Sequence, residues 1–159
     1  MSRTDLAPWP FIQCALLLFL LVLSTSCRDL DVVTGVYSTM AEAEQAGAID
    51  KGWMPAALPK NARDIFEAHD LDRKRQWGLF NFPPSEADAL RSTLQPEELP
   101  VDGLTCDIPA RIEWWPRLLR DQLDPALVKT AGLTAYRSRQ IDLIVVVNWS
   151  QGRAYYWTR

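Results

Sequence analysis

Histidine is nearly absent from this chain: among 159 residues there is one, His69. Any Ser-His-Asp or Cys-His enzyme built on this sequence must therefore use His69, and no Gly-x-Ser-x-Gly elbow supplies a serine nucleophile. Cysteine is equally scarce, and the three present, Cys14, Cys27 and Cys106, are too few for a disulfide scaffold. No long basic run occurs, and 17 Lys+Arg against 20 Asp+Glu leave a net charge of -3. That balance argues against a nucleic-acid partner held mainly through phosphate contacts. Repeats, low-complexity tracts and a second domain are also missing. What remains is 48% hydrophobic and 23% charged, the composition of one packed domain.

The amino terminus differs from the rest. Arg3 precedes an apolar run over residues 11–23, followed by Ser24, Thr25 and Ser26. As a helix the run would extend about 20 Å, short of the roughly 30 Å hydrocarbon core of a bilayer. A basic leader, a short apolar segment and a small-residue cleavage site describe a secretory signal peptide over residues 1–26. Leu23-Ser24-Thr25-Ser26-Cys27 resembles the lipobox of bacterial lipoproteins, with Ser24 where leucine is usual. That resemblance implies a palmitate-type acyl anchor on Cys27 and a membrane as the first partner. Two or more acyl chains hold a protein stably where one does not. Arg28 rather than Asp follows the cysteine, which favours the outer membrane over inner-membrane retention. An ordinary cleavage after Ser24-x-Ser26, releasing a soluble secreted protein, is the alternative, and an uncleaved anchor is a third reading.

Residues 27–32 read as a tether and 33–159 as a single α+β domain, with a small antiparallel sheet packed against short helices. A first strand ends near Tyr37. Thr39-x-x-Glu42 is a capping-box signature for a helix over 40–46 that Gly47 stops. Ala62, Ile65, Phe66 and His69 fall at helical spacing, which predicts a helix with His69 turned inward. Alternation over 75–82 predicts a strand with Trp77, Leu79 and Asn81 on one face and Phe80 and Phe82 on the other. Ser85-x-x-Asp88 begins a helix whose Ala87, Leu90 and Leu94 share a face. Residues 95–110 read as a connection, and Pro116 opens a short helix carrying Leu118, Leu119 and Leu123. Residues 141–149 and 153–158 flank Ser150-Gln151-Gly152 as a terminal hairpin, its first strand apolar on both faces and hence central.

Gly52-Trp53-x-Pro55-x-x-Leu58-Pro59, Ala62, Ile65 and His69-Asp70-Leu71-Asp72, then Trp77 and Phe80, resemble the YbbD head domain of bacterial envelope proteins. Trp114-Trp115-Pro116 and Tyr155-Tyr156-Trp157 look like later parts of the same pattern, giving a resemblance over about residues 33–158. It implies a small α+β module without an assigned activity, and no catalytic residue follows from it.

Each candidate has a plain structural reading beside it. His69 is expected to be hydrogen-bonded at the end of a packed helix, with Asp70 and Asp72 serving a turn. The rival reading is a periplasmic hydrolase or metal-dependent enzyme using His69 with Asp70 or Asp72, although their spacing fits neither a zinc nor an EF-hand site. A Cys106–His69 dyad has no further signature, and a lone thiol is most simply a core hydrophobe. Trp53 and Trp115, beside prolines, are the tryptophans expected at the surface, and with His69 they are the candidate contacts for a ligand or an envelope protein. Asp64, Glu67, Arg73, Lys74 and Arg75 read as a solvated face. No cofactor or metal is expected. The sequence thus leads to a non-enzymatic interaction or structural module, lipid-anchored and facing the periplasm.

Overall fold

The computed structural model describes residues 32–159; the signal-peptide reading and the lipidation of Cys27 lie outside them. Among the described residues, eight strands and three short helices follow one another. They are β1 (Val32–Thr39), α1 (Met40–Gln45), β2 (Arg63–Asp70), β3 (Arg75–Asn81), α2 (Ala87–Arg91), β4 (Thr105–Cys106), β5 (Asp121–Gln122), α3 (Pro125–Thr130), β6 (Thr134–Arg137), β7 (Leu143–Asn148) and β8 (Arg153–Thr158). Six of the strands form one sheet in the order β1-β2-β3-β8-β7-β6, antiparallel throughout, and β4 and β5 pair separately. The class is α+β with a carboxy-terminal hairpin, as the sequence indicates.

Both faces of the sheet are covered. On one side Tyr37, Ile65, Phe80, Val145 and Tyr156 pack with α1, the loop carrying Met54 and Leu58, Leu90 of α2, and Leu94 just beyond it. On the other, Trp77, Leu79, Ile144, Val146 and Trp157 pack beneath Cys106, Ile112, Trp115, Leu119 and Val128 of α3. Residues of β3 divide between the faces as the alternation predicts, and all six residues of β7 are buried. At about 1.5–3 kcal/mol for each large apolar side chain removed from water, this two-sided burial is the main stabilising contribution.

Local chemistry sets the ends of elements. The Thr39 hydroxyl accepts from the Glu42 N–H at 3.2 Å, while the Glu42 carboxylate accepts from the Ser38 N–H at 2.7 Å, one residue earlier than a capping box places it. Gly152 closes the β7–β8 hairpin at φ +64, where a Cβ would collide with the Phe82 carbonyl. That contact exists because Phe82 donates its N–H to the Gly152 carbonyl at 2.7 Å.

Three expectations are corrected. Residues 63–70 form a strand, not a helix: packed on both faces, β2 carries apolar residues at spacings that imitate a helical stripe, and a register shift lies between Arg63 and Phe66. Asp64, at φ +48, occupies that irregularity. After Pro116 there is only a 3-10 turn over Arg117–Leu119 before β5 begins. Finally, residues 95–110 contain β4, and they also edge the main sheet: Gln95 and Leu99 donate to the carbonyls of Arg137 and Ala135 on β6.

Candidate functional site

The β2–β3 hairpin carries the site. Strand alternation puts Glu67 and His69, two residues apart, on the same face as Ile65. Their side chains are 1% and 3% exposed, and His69 Nδ1 lies 2.9 Å from Glu67 Oε2. Glu67 is therefore no part of a solvated face, contrary to the helical reading. It lies opposite Gly35 on β1 and Gly78 on β3. A Cβ on Gly35 would come within 2.6 Å of both Glu67 Oε1 and the Tyr37 hydroxyl, and one on Gly78 would enter the Tyr156 ring. The two glycines make room for a buried carboxyl group flanked by tyrosines. Burial raises the Glu67 pKa, against the smaller opposing effects of its hydrogen bond to His69 and the charge of that ring. The Tyr37 and Tyr156 hydroxyls are also pushed up, first by burial and then by the charge of Glu67.

Above the imidazole lies Trp53, its ring centroid 4.7 Å away and the two planes 10° apart. The loop that brings it there is fixed by its backbone: the N–H groups of Trp53 and Met54 both donate to the Ala48 carbonyl, at 2.9 and 3.1 Å, and Gln76 Nε2 donates to the carbonyl of Gly52. Lys51 Nζ sits 4.3 Å from the Trp53 ring centre. A cavity of about 340 Å³ opens between this loop and the hairpin, lined among others by Lys51, Trp53, His69, Asp70, Lys74 and Arg75. His69 lines it, and its Nε2 is buried with no hydrogen-bond partner among the described residues.

Asp70 and Asp72 do not serve His69. Asp70 Oδ1 accepts from the N–H groups of Asp72 and Arg73, at 3.1 and 3.0 Å, and shapes the turn between the strands. The carboxylate that holds the imidazole is Glu67. Read with a period of two, the sequence places Glu67 beside His69; the helical reading separated them.

Trp53 is half-buried at the cavity, but Trp115 is 2% exposed and is no surface contact. Its indole N–H donates to the Leu119 carbonyl at 3.0 Å, and its ring meets those of Tyr155 and Trp157 edge-on. The proline beside it marks a loop, but one that folds over the second face of the sheet. Cys106 is buried in that same layer, across the sheet from His69, so the two form no dyad. Burial, aided by the charge of Asp107, pushes its thiol up to about 12, far from a reactive thiolate. Among the described residues no three His, Cys, Asp or Glu side chains gather as metal ligands, and no helix is long and apolar enough to cross a membrane. A wider depression of about 640 Å³ between β6 and α3 has Glu98 and Lys129 at its rim, both exposed, and no buried charged group.

The stretch that builds the cavity is similar to one known family. Residues 31–81 match the YbbD head domain. The matched segment contains β1, α1, the Trp53 loop, β2 and β3, with Glu67, His69 and Trp53 all inside it. Trp114 to Pro116 and Tyr155 to Trp157 fall beyond the YbbD head match. No curated protein and no solved structure matches the chain.

Proposed function

We propose that this chain is an exported, non-enzymatic binding module of the bacterial cell envelope, anchored by acylated Cys27 and engaging a ligand or an envelope protein at the Trp53–His69 cavity. One observation carries the binding reading: a buried carboxyl–imidazole pair, roofed by an indole, lines an open cavity and keeps a ring nitrogen without a partner among the described residues. Buried polar groups in folded proteins are nearly always satisfied, and ligand sites are a recurrent exception. The YbbD head match over residues 31–81 supports an envelope-associated role. The leader over residues 1–26, with Cys27 directly after it, supports export and a lipid anchor, with the folded part facing the periplasm and the outer membrane favoured by Arg28.

Metabolic labelling with a radioactive fatty acid tests the anchor: wild type takes up label and Cys27→Ser does not. Equal labelling of the two removes the lipoprotein reading. Capture from solubilised envelopes tests the cavity, with wild type retaining material that Trp53→Ala loses.

A second reading, a hydrolase using His69, draws on the same pair, since a carboxylate that fixes one imidazole nitrogen is how general bases are oriented. It requires Glu67 in place of Asp70 or Asp72. Hydrolysis of simple esters, abolished in His69→Gln, would establish it.

A further inference from the structure

The chain as a whole is acidic, with a net charge of -3, yet the cavity beside His69 is lined by Lys51, Lys74 and Arg75 against a single carboxylate, Asp70. That carboxylate is occupied by the turn N–H groups of Asp72 and Arg73 and lies 3.8 Å from the Arg73 guanidinium. Arg75 reaches out to Asp107 at 2.7 Å, whereas Lys51 and Lys74 form no ion pair among the described residues. In the same lining, His69 is fixed through Nδ1 by Glu67 and keeps Nε2 without a partner among the described residues. When Glu67 supplies the proton on Nδ1, or when the ring is an imidazolium, Nε2–H is a donor. Two ammonium-bearing side chains and the ring then line one cavity, and an oxyanion is the complement of such a donor set.

Resting on the binding reading above, we propose that this cavity is an oxyanion site that takes a phosphate-bearing group, with His69 Nε2–H as its buried donor and Lys51 and Lys74 as its cationic rim. Glu67 is a positioning residue, Trp53 covers the imidazole, and the 340 Å³ of space suits a small phosphorylated molecule or a single headgroup. Two sources of phosphate fit. The entry of the chain favours the second: Val32, where β1 begins, pairs with Asp70 at the cavity. Five Cα steps from Cys27 to Val32 reach no further than about 18 Å. An acyl anchor on Cys27 would keep the site close to the membrane surface.

The experiment uses the only histidine in the chain as its own reporter. The full protein, purified without a histidine tag in an uncharged detergent, is followed by the imidazole ¹⁵N resonances of His69. Inorganic phosphate is added in one arm; in another the protein sits in phosphatidylcholine nanodiscs with or without phosphatidylglycerol. A saturable shift of Nε2 at millimolar phosphate supports the site with a free ligand. A shift seen only with phosphatidylglycerol supports it with a headgroup. Either response is expected to weaken about tenfold in the Lys51→Gln/Lys74→Gln double variant, as fits two solvent-screened contacts. The amide spectrum of the double variant shows that its fold is intact. No shift with either probe overturns the oxyanion site, as does a shift retained in full by the double variant or reproduced by sodium chloride at equal ionic strength. Trp53-dependent capture from envelopes with His69 unresponsive to both probes would leave the binding module standing and remove only its oxyanion. Unlabelled Cys27 removes only the anchor.

Discussion

At the scale of single residues, Glu67 is the unusual choice. A carboxyl group 1% exposed between two tyrosines is tolerated because Gly35 and Gly78 leave it room and His69 satisfies one of its oxygens. Burial holds its pKa above the 4.5 it has in water, and unfolding releases it. Between those two values the folded chain retains a proton that the unfolded chain has given up. The stabilisation from Glu67 is therefore fully present below pH 4.5 and is lost as the pH rises through the folded value. Glu67→Gln keeps the shape and cannot ionise, so its stability relative to wild type should increase as the pH rises from 4 towards 8, by about 1.4 kcal/mol for each pKa unit of displacement. Urea unfolding at several pH values measures this, and a difference that does not change with pH would contradict it.

Among the elements, the central strands carry the stability. Trp77 and Val145 are 2% and 3% exposed on opposite faces of the sheet, so Trp77→Ala and Val145→Ala should each lower the unfolding free energy, Trp77→Ala by about 3–5 kcal/mol and Val145→Ala by about 2 kcal/mol. Chemical denaturation gives the values, and a change below about 0.5 kcal/mol would mean that these side chains are not buried. The same strands show what the sequence makes legible. Alternation in β3 and the apolar run of β7 could be read directly, because each matches one pattern. The short β6 could not: Thr134 to Arg137 is too brief to show a period, and only its pairing with β7 defines it. Residues 63–70 misled for a different reason. A strand buried on both faces imposes no alternation, so His69 was found but its partner Glu67 was assigned to water. Trp115 was misplaced because a proline reports a loop without reporting where the loop packs.

For the molecule as a whole, the sheet order matters most. The YbbD head match ends at residue 81, yet β3 has β8 as its neighbour, with Trp77 opposite Trp157 and Leu79 opposite Tyr155. Residues 31–81 alone would leave β3 as an open edge and Phe80 without Tyr156 beside it. That fragment should not fold by itself, and its far-ultraviolet circular dichroism and amide dispersion should be those of an unfolded chain. A cooperative unfolding transition in the fragment would contradict this.

The pairing of β3 with the last strand also bears on how the polypeptide is made. Until Trp157 has been synthesised, the partner of Trp77 does not exist, and the two halves of the sheet have no seam along which to join. The six-stranded sheet cannot close before translation has passed residue 158, so whatever receives the nascent chain earlier handles an unfinished domain.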